Sequence, residues 1–257
     1  MKTKLFFIII GISAVIIRLF VNFRFELIPG VNGGYYPLQI RKIIETGTLG
    51  FNDMPLYFYL NSLFVLIIDF FTDINRNSII INTVKIVDAT NFVFILFPVY
   101  FIYKAKNTNN KIVDSIIIAL FSVLSISPMI LLSDNQKNTF GIFMSFLFLS
   151  FIIKTLNNLN YKKIILATFL LMAVLLSHFG TFVVLLLIIV LFLIFNYRKK
   201  AILPISALII VSILLISVFD FTRAERMFNF IFQIFENPAI MQIKPPDFVN
   251  LIFAVLI

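Results

Sequence analysis

The sequence predicts an all-α, polytopic transmembrane helical bundle with amphipathic juxtamembrane helices in a long first extracytoplasmic loop. Three observations predict it. Hydrophobic residues make up 61% of the 257, with a mean hydropathy of +1.05, where soluble domains hold roughly 45–50% apolar residues. Charged residues are only 13%, and they cluster between apolar runs long enough to cross a bilayer. One soluble core could not hide 33 Phe with the accompanying Ile and Leu.

The elements follow from run length, at about 20 apolar residues per span. Spans are expected at Leu5–Phe23, Ile79–Tyr103, Ile112–Leu132, Thr139–Leu156, Lys163–Ser177, Thr181–Tyr197 and Ile202–Phe219. An eighth begins at Asn250 and stops at Ile257 without a polar flank, so residues 1–257 read as a single transmembrane domain that is incomplete at its C-terminus. The first run follows Lys2 and Lys4 as a signal peptide would. It lacks a small-residue cleavage site, and reads as an uncleaved span.

Leu56–Phe71 is apolar but only 16 residues long, with Asn61 inside it and Asp69 near its end. Charge decides its placement. With a cytoplasmic N-terminus and no crossing here, the cytoplasmic segments hold 11 of the 21 Lys and Arg: Lys2 and Lys4; Lys104, Lys106 and Lys111; Lys154, Lys162 and Lys163; Arg198, Lys199 and Lys200. A crossing would move nine of those outside, against the positive-inside rule. Leu56–Phe71 is therefore expected to lie at, or dip into, the outer membrane surface, where Tyr57, Phe58 and Tyr59 suit the interface. Tyr35–Thr46 has Tyr36, Ile40, Ile43 and Ile44 at helical spacing, with Gln39, Arg41, Lys42 and Glu45 on the other face and Gly47 as the stop. These two helices fill a first outer loop of residues 24–78. A second outer loop, residues 220–249, carries Arg223, Glu225 and Arg226. Loops this long are usually functional.

The net charge of +9 does not point to nucleic acid, because its basic residues mark loops rather than a basic face. Cysteine is absent, which excludes disulfides and thiolate metal sites.

The stretch GVNGGYYPLQIRKIIETGTLGFNDMPLYFYL (Gly30–Leu60) resembles the first outer loop of GT-C glycosyltransferases. Among these are protein O-mannosyltransferases, aminoarabinose transferases of lipid A and oligosaccharyltransferase catalytic subunits. The shared pattern runs from an acidic residue, small residues and Tyr after the first span, through an amphipathic helix and a Thr-Gly-like turn, to a Pro-Leu-aromatic surface helix. Pro128 with Asp134 at the outer end of the next helix pair also fits. The resemblance covers roughly Met1–Leu156, and later spans match only in topology. It implies transfer of a sugar from a polyprenyl-phosphate donor to a protein, lipid or glycan acceptor on the extracytoplasmic side, with inversion at the anomeric carbon. Such chemistry needs a carboxylate to orient or deprotonate the acceptor, cationic groups for the leaving phosphate, and a groove open to lipid.

Each candidate has a plain structural reading beside the functional one. Asn32 stands where the family carries an Asp. Asn cannot act as a base, so it is a positioning group, a turn residue beside Gly33 and Gly34, or the mark of a protein that has lost activity. Asp53 is an acceptor-binding carboxylate, a base or a metal ligand, or the N-cap of the following helix. Asp134, in a turn with Lys137, is a second carboxylate or plain turn chemistry. Tyr35 and Tyr36 belong to the substrate side by resemblance. Lys85 and Asp88 lie three residues apart on one face of a span, where ionisable groups are costly. Lys85 is then a phosphate contact, or half of a structural ion pair with Asp88. His178, the single histidine, is a phosphate ligand or proton carrier, or a turn residue. Arg223 and Arg226 share one helical face and bind phosphate oxygens or anionic headgroups.

No metal site is predicted, although a divalent cation is left open as cofactor. The expected partners are membrane lipids, the lipid-linked donor and the acceptor. The AT-rich style of the composition suggests a prokaryotic inner membrane, with the N-terminus cytoplasmic. The competing reading is a transporter or flippase, or an inactive GT-C-like protein. Transporters gather polar residues near the bilayer midplane, whereas here the candidates sit at outer helix ends.

Overall fold

The computed structural model describes residues 2–27, 33–106, 136–155 and 160–197. Among them the chain is helical throughout, in the order α1 (Lys2–Phe23), α2 (Tyr35–Thr46), α3 (Leu56–Phe71), α4 (Arg76–Phe94), α5 (Leu96–Lys106), α6 (Gln136–Thr155), α7 (Tyr161–Ser177) and α8 (Phe179–Tyr197). Residues 1–185 form one compact unit. Residues 186–257 form a second, described only over the end of α8. The expected spans Ile112–Leu132 and Ile202–Phe219, the start of another at Asn250, and the loop 220–249 lie outside the described residues.

Among the described residues, three helical stretches are long and apolar enough to cross a membrane: Leu5–Phe23, Arg76–Lys104 and Gln136–Thr155. By length and composition the described helices are thus compatible with a helical membrane protein. Their outward residues are what lipid would face: Phe20 is 64% exposed and Ile16 60%. Leu56–Phe71 and Phe179–Phe192 are apolar but shorter. α7, at 17 residues, is about 25 Å long, short of the ~30 Å hydrocarbon thickness.

The predicted single helix Ile79–Tyr103 is broken at Ile95, between α4 and α5. Pro98 is the cause: it has no N–H for the Phe94 carbonyl, and its ring crowds that carbonyl. α1 packs against α4, and at Gly11 an added Cβ would meet Val93 Cγ1 at 3.0 Å.

α2 follows its predicted bounds, and Gly47 ends it with φ +75°. That left-handed position is one glycine adopts without steric cost. The buried face holds Tyr36, Ile40 and Ile43 as expected, but Gln39 is buried with them. This corrects the reading that set Gln39 on the solvent face. α3 also follows its predicted bounds and joins α4 through residues 72–75, with Asp69 and Arg76 paired at 2.7 Å at that end. The two helices pack against each other and against α2. A shared core of Tyr36, Ile40, Tyr57, Phe58, Val65, Ile80 and Val84, with Phe140 of α6, ties α2 and α3 to α4 and α6. Phe58 and Ile40 are fully buried, and each such side chain contributes about 1.5–3 kcal/mol.

Candidate functional site

The N-terminus of α6 is where α2, α3 and α4 converge. Tyr57 of α3 donates to Gln136 Oε1 at 2.8 Å, and Asn91 of α4 reaches the Gln136 carbonyl at 3.4 Å. The Tyr36 hydroxyl is hydrogen-bonded to the Lys137 backbone. The first backbone N–H groups of a helix have no partner within it, so Tyr36 completes the end of α6 as well as packing the core. Burial raises the Tyr36 phenol above its ordinary pKa of 10, and the charges of Asp88 and Asp53 add to the effect. Tyr36 therefore stays a neutral phenol at working pH and cannot serve as a base.

Asp53 stands over this helix end. Lys137 Nζ donates to both of its carboxylate oxygens, and Tyr35 donates to Oδ2 at 2.7 Å. Asp53 Oδ1 also accepts from the Met54 N–H at 2.8 Å. The carboxylate is only 7% exposed and the Lys137 side chain 13%. The N-cap position of α3 belongs to Pro55, without any side-chain cap bond. Asp53 is thus a carboxylate aimed at α6 and does not cap α3.

Gln39 holds the turn that carries Asp53. Its Oε1 accepts from the Gly50 and Phe51 N–H groups at 2.8 and 3.1 Å. Its Nε2 donates to the Phe51 carbonyl and the Tyr35 hydroxyl, each at 3.0 Å. A run from Gln39 through Tyr35 and Asp53 to Lys137 therefore links α2, the 47–55 turn and α6. Sequence reasoning missed Gln39 and Lys137 as members of this site. A glutamine one turn after Tyr35, beside Ile40, was the available signal.

Lys85 and Asp88 do not form the expected pair with each other. Asp88 Oδ2 accepts from Arg18 Nε at 2.9 Å and from Asn22 Nδ2 at 2.8 Å, both on α1. Lys85 instead donates to the Phe25 carbonyl at 2.7 Å and lies 5.1 Å from the centre of the Phe23 ring. Helical spacing put Lys85 and Asp88 on one face, but α1 offers each a better partner: a guanidinium for the buried carboxylate, and a C-terminal carbonyl for the ammonium.

His178 separates α7 from α8 in an extended conformation. Its Nδ1 accepts from the Thr181 N–H at 3.1 Å, so it caps the start of α8 and its ring nitrogen there is unprotonated. The turn packs against Gly141, where an added Cβ would collide with Thr181 Oγ1 and meet His178 Cβ at 2.9 Å. Gly141 is one helical turn beyond Lys137, so His178 stands beside the same end of α6. Asn32, Asp134, Arg223 and Arg226 lie outside the described residues. No group of three or more His, Asp or Glu among the described residues is placed to hold a metal ion.

No family model, curated protein or solved structure matches the chain.

Proposed function

We propose that the chain is a membrane glycosyltransferase of the GT-C type, moving a sugar from a polyprenyl-phosphate donor to an extracytoplasmic acceptor. The observation that carries the proposal is Asp53, a carboxylate from the outer loop held beside Lys137 at the N-terminus of α6. In an inverting transfer, the acceptor oxygen bonds to the anomeric carbon as the bond from that carbon to the phosphate oxygen breaks. The acceptor proton goes to a carboxylate, and the phosphate leaves with the electron pair. Asp53 fills the first role. Lys137 and the positive end of α6 suit the second, since cations and helix N-termini stabilise developing negative charge. Tyr35 and Gln39 hold the carboxylate in place. The reading takes the membrane as a prokaryotic inner membrane, with α2 and α3 on its outer side.

The test is transfer of a radiolabelled sugar from a polyprenyl-phosphate donor by detergent-purified full-length protein. Turnover is expected to fall at least 100-fold in Asp53→Ala, with a smaller fall in Asp134→Ala. Unchanged turnover in both variants would remove this site assignment. Restoring the family acid with Asn32→Asp is expected to raise turnover, and an inactive wild type that gains activity this way would be a protein that has lost catalysis.

The buried Arg18–Asp88–Asn22 group favours a second reading, a transporter or flippase. Ionisable residues inside spans commonly mark substrate or ion pathways. Uptake of lipid-linked sugar into proteoliposomes, abolished by Asp88→Asn and insensitive to Asp53→Ala, would select it.

A further inference from the structure

Asp53 is fully engaged: Lys137 lies on both oxygens, Tyr35 on Oδ2 and the Met54 N–H on Oδ1. A carboxylate so surrounded and so little exposed has no lone pair to offer an incoming hydroxyl. Something must draw Lys137 away before Asp53 can accept a proton. The end of α6 supplies a place for the ammonium to go. Beside Lys137, Gln136 is 1% exposed, and its Nε2 is a buried donor without a hydrogen-bond partner. An ammonium on a flexible stem, an orphan amide donor and the positive end of a 20-residue helix together suit a phosphoryl anion. Leaving a buried amide unpaired is costly, and an anion seated there relieves the cost.

We propose that a phosphoryl group binding at the Gln136–Lys137 end of α6 takes Lys137 from Asp53, so that the carboxylate is unlocked only when the phosphorylated ligand is present. The device rests on the glycosyl-transfer reading for its purpose but not for its operation. Without ligand, Lys137 neutralises Asp53 and the site is shut. With ligand, Lys137 and Gln136 Nε2 both donate to phosphoryl oxygens, and Asp53 keeps Tyr35 and the Met54 N–H as its orienting partners. Acceptor deprotonation is thereby confined to molecules already loaded with donor.

The test is carbodiimide-driven amidation of Asp53 in the detergent-purified full-length protein, read by peptide mass spectrometry. The probes are a polyprenyl phosphate, the matching polyprenol and inorganic phosphate. Modification of Asp53 is expected to rise at least fivefold with the polyprenyl phosphate and not with the polyprenol. A rise with inorganic phosphate alone identifies the free anion as a sufficient ligand, whereas a rise confined to the lipid form identifies the headgroup; either supports the exchange. In Lys137→Ala, modification should be high without any ligand, and Lys137→Arg should keep the ligand response should the alanine variant not fold. Equal modification with and without every phosphorylated probe overturns the proposal. Sugar transfer with an unresponsive Asp53 defeats the exchange alone. A responsive Asp53 without sugar transfer defeats the glycosyltransferase reading alone.

Discussion

Lys137 and Asp53, 84 residues apart in the chain, are joined by the ammonium lying against both carboxylate oxygens. That contact fastens the 47–55 turn to α6. Both side chains are largely buried, so removing one leaves the other as an uncompensated charge, at about 3–5 kcal/mol. Lys137→Met is expected to lower the thermal midpoint of the purified protein by several degrees, measured by differential scanning calorimetry or a light-scattering aggregation assay. An unchanged midpoint would mean that the pair does not hold the turn.

Gln39 predicts a second effect. Gln39→Leu keeps the bulk but leaves the Gly50 and Phe51 N–H groups and the Phe51 carbonyl without their partner. Gly50 and Phe51 are exposed, so each lost hydrogen bond costs about 0.5–1.5 kcal/mol, and proteolysis of the 47–55 turn should accelerate at least tenfold. Gln39→Glu keeps the acceptor and should be milder. Equal resistance of wild type and Gln39→Leu to a trypsin and chymotrypsin time course would contradict the role assigned to Gln39.

Arg18 and Asp88 should behave as a unit. Arg18→Met strands Asp88, at 1% side-chain exposure, and is expected to reduce yield and stability sharply. The double variant Arg18→Met with Asp88→Leu removes both charges and should recover most of the loss, because replacing a buried pair with apolar groups is often neutral or stabilising. A double variant as poor as the single ones would show that this group does more than join α1 to α4.

Gly141 predicts a steric effect beside the site. Gly141→Leu meets Thr181 and His178, and overpacking of this kind costs about 1–3 kcal/mol. The thermal midpoint should drop, and Thr181→Ala on the same background should restore part of it. A Gly141→Leu protein with a native midpoint would mean that α6 and the His178 turn are not in close contact.

Much of the fold was legible because the signals were periodic. Tyr35–Thr46 and Leu56–Phe71 emerged at their predicted bounds, since a 3.6-residue apolar pattern, Gly47 and Pro55 all point to the same ends. The break at Ile95 was also written in the chain, as Pro98, but a hydropathy run averages over it. Partners across the bundle were not legible. Lys85 and Asp88 are neighbours on one helix, and nothing local shows that Arg18, 70 residues away, claims the carboxylate. The same limit hid Lys137 from Asp53. Sequence marked the Asp53 carboxylate and the Tyr35–Tyr36 pair as chemistry, and tertiary packing selected the cation that joins them.

The most direct measurement is sugar-transfer turnover, alongside thermal midpoint, in Asp53→Asn and in the charge-exchanged variant Asp53→Lys with Lys137→Asp. Restored stability in the exchanged variant, with turnover still at least 100-fold below wild type and equally low in Asp53→Asn, is the predicted result. Wild-type turnover in Asp53→Asn, in a protein that retains its fold, would contradict the assignment of chemistry to this carboxylate.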